Sequence, residues 1–306
     1  MVSIIMATFN RAHLIEDTLE SIVNQTHQDW ECLIIDDGAT DNTEEIVNKW
    51  CKKDLRFKYF KRTLKHQKGL PGCRNQGIKL STGNYIIFFD DDDIVHPQNL
   101  ELCLNYFKNN YSDFLHYNKK PFRNKTSVSF EEYKYPDIIF EINHNKIYES
   151  ITNKLGLASC TVMWRKYVFV KYKFDESLQY AEEWDLYNRL IINGFCGHKI
   201  GNTLYFNRKH NESNTGEFFK GNKVRIRSKI KATIHVIRNL DNASLLNMQY
   251  ALYFLKFIKK FNVYLIYKEL LKSNSLTSIQ KARLVLIYPQ IKMRSILHKI
   301  RKLKII

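Results

Sequence analysis

The chain has 306 residues, of which 44% are hydrophobic, and its 48 Lys and Arg residues against 31 Asp and Glu residues give a net charge of +17. This apolar content suffices for a folded core and excludes a chain disordered throughout, while only 11 Gly and 5 Pro residues exclude collagen-like and low-complexity sequences. The whole basic excess lies in residues 217–306, which hold 20 basic and 3 acidic residues, so residues 1–216 are neutral overall.

Strands and helices alternate in the first third of the chain. Short apolar runs predict strands at residues 2–8, 31–37, 57–60 and 85–89. Helical spacing of apolar residues predicts helices between them, and Pro97 suits the first position of another helix. This alternation predicts an α/β fold with a mostly parallel sheet, in which ligands bind at the carboxyl ends of the strands.

The later sequence is less regular. Residues 119–155 are polar, aromatic and aperiodic, which is typical of a variable insertion. A strand is predicted at 159–164 and a hairpin at 195–210. Helical spacing from residue 217 onward predicts a C-terminal helical extension, with helices that include 245–261, 263–272 and 277–303.

Polar clusters follow three of the predicted strands. They are the loop at residues 8–11, the pair Asp36-Asp37, and four consecutive aspartates at residues 90–93. Adjacent carboxylates repel one another, and a bound hard divalent cation such as Mn²⁺ or Mg²⁺ relieves that repulsion. A solvated acidic loop at 90–93 and a strand-to-turn cap at Asp36-Asp37 are the structural alternatives.

Three sequence blocks together resemble a known family. The blocks ATFNRAH, LIIDDG and GLPGCRNQG followed by FFDDDDIVHP are similar to the family-2 inverting glycosyltransferases of the GT-A fold. The similarity covers residues 2–110 closely and residues 156–210 more loosely. It implies a nucleotide-diphospho-sugar transferase, with a Rossmann-like sheet, that acts in polysaccharide or lipopolysaccharide biosynthesis.

The resemblance implies a role for each matching residue. The loop after the first strand closes over the nucleotide, and the two carboxylates after the second strand hydrogen-bond the base. Arg74 lies near the donor phosphates or the base. The implied nucleotide-sugar-binding residues are Thr8, Asn10, Arg11, Asp36, Asp37, Arg74, Asp90 and Asp91.

The metal and the catalytic base come from other positions. Counting back from Pro97 favours Asp92 as the ligand of Mn²⁺ or Mg²⁺, and His210 resembles a family histidine that reaches the metal or the diphosphate. Inverting transfer needs one carboxylate to take the proton of the acceptor hydroxyl. Glu183 stands where the family usually has an aspartate base, and Glu182 is the alternative.

The chain is expected to divide into a catalytic domain at 1–216 and a basic helical region at 217–306. Within the first, residues 1–118 would bind the nucleotide-sugar and residues 119–216 the acceptor. The basic helices either contact an anionic membrane surface or pack on the catalytic domain. No aromatic–basic interleaving indicates a nucleic-acid partner, and oligomeric state is not readable from the sequence.

These features predict a cytoplasmic, metal-dependent glycosyltransferase at the inner face of the cell membrane. Its partners would be a nucleotide-sugar, with UDP-sugar favoured, and a glycan or lipid-linked acceptor. A nucleotidyltransferase of similar fold is one alternative, although the loop ATFNRAH lacks the glycines that such an enzyme needs. A non-catalytic module that binds nucleotides or membrane surfaces is the other.

Overall fold

The computed structural model describes residues 1–209, 214–261 and 264–289. Its strands are β1 (Val2–Thr8), β2 (Trp30–Asp36), β3 (Phe57–Lys61), β4 (Tyr85–Asp90), β5 (Ile94–Val95), β6 (Phe114–Phe122), β7 (Ile138–Ile142), β8 (Val162–Arg165) and β9 (Gly197–Arg208). Its helices include α1 (Ile15–Val23), α2 (Thr43–Lys53), α3 (Leu70–Leu80), α4 (Asn99–Asn109), α5 (Ile147–Ile151), α6 (Val168–Lys171), α7 (Glu182–Ile192), α8 (Asn214–Phe219), α9 (Lys223–Asn242), α10 (Met248–Phe261) and α11 (Tyr264–Lys272). Residues 278–289 are also helical.

The described strands form one nine-stranded sheet in the order β3-β2-β1-β4-β8-β6-β9-β5, with β7 paired to β9. The first four are parallel, which confirms the predicted α/β class, and β8 then runs antiparallel to both β4 and β6. In the parallel part Thr8 lies opposite Asp36, and Ala7 lies opposite Asp90. The polar ends of three strands therefore meet at one edge of the sheet.

Along the parallel strands, successive side chains are buried rather than alternating between buried and exposed. Apolar side chains therefore point to both faces of the sheet, and other elements cover both faces. On one face Ile4 and Ile34 belong to the same core as Leu19 of α1. On the other face α3 approaches the sheet closely at Gly77, where an added Cβ would lie 2.4 Å from Ile5 Cγ2. This close approach brings the buried first turns of α3 to the sheet edge where the strands end.

Two predicted elements are wrong. The predicted hairpin at 195–210 is a single strand, β9, which pairs with β5, β6 and β7. Gly201, which suits a turn, instead makes room for Asp137, since a Cβ there would lie 2.4 Å from Asp137 Oδ2. Helix α4 begins at Asn99 rather than at Pro97, because the Pro97 carbonyl accepts the Thr26 N–H at 2.9 Å and stays in the preceding loop.

The C-terminal helices pack on the sheet layer rather than standing apart. Val236, Ile237 and Leu240 of α9 lie in the same buried core as Leu186 and Leu190 of α7. The predicted helix at 277–303 is described only as far as residue 289, and the basic residues 291–306 lie outside the described residues. Among the described helices, none combines the length and the apolar character needed to cross a membrane.

Glu31 connects β2 to the start of β1 and to the loop before β4. Its Oε1 accepts hydrogen bonds from Ser3 Oγ at 2.7 Å and from Thr82 N at 2.6 Å, and its Oε2 lies 2.9 Å from Lys58 Nζ. Burial raises its pKa, but the hydrogen bonds from Ser3, Thr82 and Lys58 outweigh burial and lower the pKa to about 2. The buried carboxylate therefore stabilises the fold in its ionised form.

We expect Glu31→Gln to lower the free energy of unfolding by about 3 kcal/mol at pH 7, the value of a pKa lowered from 4.5 to about 2. Because the pKa is lowered on folding, the advantage of wild type is complete above pH 4.5 and disappears as the pH falls toward 2. Urea unfolding at pH 7 and pH 3 measures both values, with the exposed Glu45→Gln as control. A difference that stays the same at both pH values would contradict this account.

Candidate functional site

Two adjoining cavities open at the carboxyl ends of β1, β2 and β4. The loop cavity is lined by residues that include Thr8, Arg11, Asp37, Cys73, Gln179 and Arg225. The carboxylate cavity is lined by residues that include Arg74, residues 90–93, Lys119, Glu182, Glu183 and Arg208. Arg11, Asp91 and Glu182 line both, so the two cavities form one continuous site.

The residues of the loop after β1 have two different roles. Thr8 and Arg11 line the loop cavity, and Arg11 Nε lies 3.3 Å from Asp91 Oδ1. Asn10 lines neither cavity. It adopts a left-handed backbone conformation (φ 54°), which asparagine tolerates, and its Oδ1 accepts the Thr40 N–H at 2.8 Å. Asn10 therefore shapes the loop, while Thr8 and Arg11 face the cavity.

Asp36 and Asp37 also differ in role. Asp36 is buried and accepts hydrogen bonds from Gly38 N at 2.9 Å, Ala39 N at 2.7 Å and the Tyr59 hydroxyl at 2.5 Å. The Asp36 carboxylate thus caps the turn after β2, which was the structural alternative to recognition of the base. Asp37 lines the loop cavity.

Two groups hold the Asp37 carboxylate in place. Its Oδ1 lies 2.5 Å from Arg62 Nε, and its Oδ2 accepts the Gly69 N–H at 3.0 Å. The backbone of Gly69 has φ 122°, a conformation that L side chains rarely adopt. The glycine before α3 therefore brings its N–H to a carboxylate at the cavity wall.

Arg74 is the buried cation at the centre of the site. Its Nη1 lies 2.9 Å from Glu182 Oε1, and its Nη2 lies 3.0 Å from Ser159 Oγ and 3.4 Å from Asp90 Oδ1. Its guanidinium also lies over Phe174, 5.5 Å from the ring centroid. The Arg74 guanidinium thus contacts polar groups from three parts of the chain, and it links the acidic run to the first turn of α7.

The four consecutive aspartates are not equivalent. Asp91 and Asp93 are buried, whereas Asp90 is 38% exposed at its side chain. Burial and the charge of Asp92 raise the pKa of Asp91 to about 7, and burial with the charges of Asp90 and Asp92 raises the pKa of Asp93 well above its usual range. Ionisation of all four aspartates therefore costs free energy unless further positive charge lies nearby.

These carboxylates fit a hard divalent cation. Oxygen atoms of Asp90 and Asp93 and the Cys160 sulfur lie within 4.8 Å of one another. Asp92, the ligand predicted from sequence, lines the same cavity and has an oxygen 3.9 Å from Arg11 Nε. Carboxylate oxygens suit Mg²⁺ and Mn²⁺, and a cation among them would offset their mutual repulsion. His210, the other predicted ligand, lies outside the described residues.

Glu182 and Glu183 occupy the first turn of α7 but have different surroundings. Glu182 is buried, and Arg74 holds its Oε1. Burial and the neighbouring Glu183 raise the pKa of Glu182 above its usual range. Glu183 is only partly buried and lines the carboxylate cavity. Of the two, Glu183 is the better placed to meet a bound hydroxyl.

Sequence reasoning missed two cations at this site. Lys119 lies on β6, and its Nζ is 4.0 Å from Cys160 Sγ in the carboxylate cavity. Arg225 comes from α9 and lines the loop cavity, within the region expected either to contact a membrane surface or to pack on the catalytic domain. Lys119 and Arg225 belong to no sequence motif, so only their positions in the walls of the two cavities reveal them.

Comparison with known proteins assigns a family to more than half of the chain. Residues 3–176 match the model of the family described as Glycosyl transferase family 2. The poly(ribitol-phosphate) β-N-acetylglucosaminyltransferase TarP of Staphylococcus aureus (strain N315) is 36% identical over 176 residues, 56% of this chain and 51% of TarP. Four of the curated relatives are matched over only 25% to 51% of their own length.

Solved structures show the same fold. S. aureus TarS 1–349, in complex with UDP-GlcNAc, superposes with a TM-score of 0.64 at 21% identity, over 85% of this chain and 72% of that one. The mannosyltransferase PcManGT from Pyrobaculum calidifontis, in complex with GDP-Man and Mn²⁺, superposes with a TM-score of 0.58 at 12% identity, over 95% and 80%. The likeness to TarS confirms the predicted GT-A architecture.

Proposed function

Because this chain belongs to glycosyl transferase family 2, we propose that it transfers a hexose from a nucleotide-sugar to a hydroxyl group of a glycan acceptor. One observation carries this proposal: the partly exposed carboxylate of Glu183 lines the same cavity as the four aspartates at 90–93. A general base and a group of carboxylates suited to a metal diphosphate thus face one space. Inverting glycosyl transfer needs these two components on the protein.

For the donor we propose a UDP-sugar. Support comes from the resemblance in fold to TarS, which was solved with UDP-GlcNAc, and from Asp37, whose carboxylate is fixed at the wall of the loop cavity. A carboxylate accepts the N–H of a uracil ring, which is one way to recognise that base. Thr8 and Arg11 would close over the same nucleotide, while Asp36 and Asn10 would act through the shape of their loops.

For the cofactor we propose Mn²⁺ or Mg²⁺ with Asp92 as a ligand and Asp90 and Asp91 toward the donor. The buried, mutually repelling carboxylates support this assignment, and PcManGT, a neighbour in fold, was solved with Mn²⁺. When bound, such an ion offsets the charge of the departing nucleoside diphosphate. Arg11, beside Asp91 and Asp92, adds positive charge at the same place.

In the proposed reaction the Glu183 carboxylate takes the proton of the acceptor hydroxyl. The acceptor oxygen forms a bond to the anomeric carbon as the bond from that carbon to the diphosphate oxygen breaks. The bonding electron pair leaves with UDP, and the configuration at the anomeric carbon inverts. No second protein acid is needed, in contrast to glycoside hydrolysis.

For the acceptor we propose a surface glycan or its lipid-linked precursor, consistent with the poly(ribitol-phosphate) named for the relative TarP. We further propose that residues 1–216 form the catalytic unit and that residues 217–306 lie at the inner face of the membrane. Exposed apolar side chains on the C-terminal helices support this placement, namely Tyr264, Leu265, Ile279 and Leu286. Co-sedimentation with anionic lipid vesicles measures it.

Acceptor-dependent release of UDP tests the proposed function. We expect one member of a panel of UDP-sugars to be turned over with Mn²⁺ and a lipid-linked glycan, and we expect chelator to remove that activity. Reactions without acceptor control for hydrolysis. Release of inorganic diphosphate would indicate a nucleotidyltransferase, and binding of UDP-sugars without turnover, over a broad set of acceptors, would indicate a non-catalytic module.

A further inference from the structure

Helix α9 holds the backbone that leads into the two glutamates. Ser228 Oγ accepts the Gln179 N–H at 2.8 Å, and Arg225 donates to the Gln179 carbonyl. Ala232 of the same helix packs with Leu178 and Ala181. Three successive turns of α9 therefore contact the segment that comes directly before α7.

That segment contains a strained residue at the entrance to α7. Ala181 has φ 63°, a left-handed conformation that is unfavourable for a residue with a Cβ. Such a conformation persists only where its surroundings hold it, and strained residues concentrate at functional sites. Glu182 and Glu183 follow immediately, so the direction of their side chains depends on the contacts that α9 makes.

Lys229 extends this support to the residue next to Glu183. Its ammonium lies 3.3 Å from the ring centroid of Trp184, and the Trp184 indole N–H donates to the Ile151 carbonyl at 3.1 Å. Desolvation lowers the pKa of Lys229 to about 7, and the charges of Glu183 and Asp185 oppose this shift. This cation–π contact therefore joins α9 to the residue next to Glu183.

We propose that Lys229 is a positioning residue for Glu183. By holding the Trp184 ring, the Lys229 ammonium fixes the first turn of α7, from which the Glu183 side chain reaches the carboxylate cavity. This inference rests on the proposed function, in which Glu183 is the base. It assigns the C-terminal region a task in the reaction that is separate from any contact with a membrane.

Steady-state kinetics with three variants test this inference. We expect Lys229→Met to lower kcat about 10- to 100-fold with the donor KM within about twofold of wild type, because a misplaced base affects the chemical step and not donor binding. Lys229→Arg keeps the cation and should recover most of kcat. Lys223→Met, the same substitution at an exposed position of the same helix, should leave kcat unchanged.

Each result bears on the assignment. Wild-type kcat for Lys229→Met would overturn it. A loss of kcat of the same size in Lys229→Met and Lys229→Arg, accompanied by a lower Tm in both, would show a structural role and overturn it as well. A wild-type chain that transfers no sugar would overturn the proposed function, and this inference with it, whereas the first two outcomes leave the proposed function standing.

Discussion

Replacement of Glu183 by glutamine is expected to lower kcat by about 10²- to 10⁴-fold while UDP-sugar affinity stays near that of wild type. The amide has nearly the same shape but cannot take the proton of the acceptor hydroxyl, and general-base catalysis contributes about this factor. Because Glu183 lines the carboxylate cavity and not the loop cavity, the nucleotide contacts should survive. Acceptor-dependent UDP release gives kcat, and calorimetric titration with UDP gives affinity.

The matched control is Glu182→Gln, the same change at the adjacent residue. Glu182 is buried and its carboxylate is held 2.9 Å from Arg74 Nη1, so we expect a smaller loss of kcat and a lower Tm. Removal of one partner of a buried ion pair leaves the other charge poorly compensated. If Glu182→Gln instead lost more activity than Glu183→Gln at an unchanged Tm, the base would be Glu182.

The second large effect is expected for Asp92→Asn, which should lower kcat by about 10²- to 10³-fold. A bound divalent ion supplies several kcal/mol of charge stabilisation, and about 1.4 kcal/mol corresponds to a tenfold change in rate. UDP binding should weaken only when Mn²⁺ is present, because the variant loses the metal-mediated part of the contact. Titrations of UDP with and without Mn²⁺ separate the two parts.

Two further variants locate the metal ligands. Asp29→Asn removes an exposed carboxylate that pairs with the N-terminus at the opposite edge of the sheet, and it should behave as wild type. Asp93→Asn tests a different candidate ligand, which lies in the group formed by Asp90, Asp93 and Cys160. Loss of the Mn²⁺ dependence in Asp93→Asn but not in Asp92→Asn would move the ligand to Asp93, and full activity of wild type in chelator would end the metal proposal.

The sequence was sufficient to predict where in the fold the site lies, because chain order and sheet geometry are closely linked in parallel α/β folds. Apolar runs fixed the strands β1, β2 and β4, and the polar residues that follow them had to meet at one edge. The register of Thr8 with Asp36 and of Ala7 with Asp90 is the direct outcome. Family resemblance added the expected chemistry, and the family match confirms that resemblance.

Local sequence could not distinguish residues that face a cavity from those that shape a turn. Asp36 and Asp37 are adjacent and chemically identical, yet the Asp36 carboxylate accepts from two backbone N–H groups and Tyr59, while Asp37 reaches the cavity wall. The Asn10 side chain could likewise bind a ligand, but its backbone has the left-handed conformation typical of a turn. Which partner satisfies a polar side chain depends on neighbours that lie far away in the chain.

The sequence by itself determined the α/β class, the edge of the sheet where the site lies, and the confinement of the basic excess to residues 217–306. Only the tertiary structure decided which of those basic residues meet the site. Arg225 lines the loop cavity and Lys229 lies over Trp184 of α7, because the apolar side chains of α9 are buried against that helix. The sequence gives the positions of charged residues along the chain but not the direction in which their side chains point. The packing of an amphipathic helix decides which of those side chains turn inward and which remain in solvent.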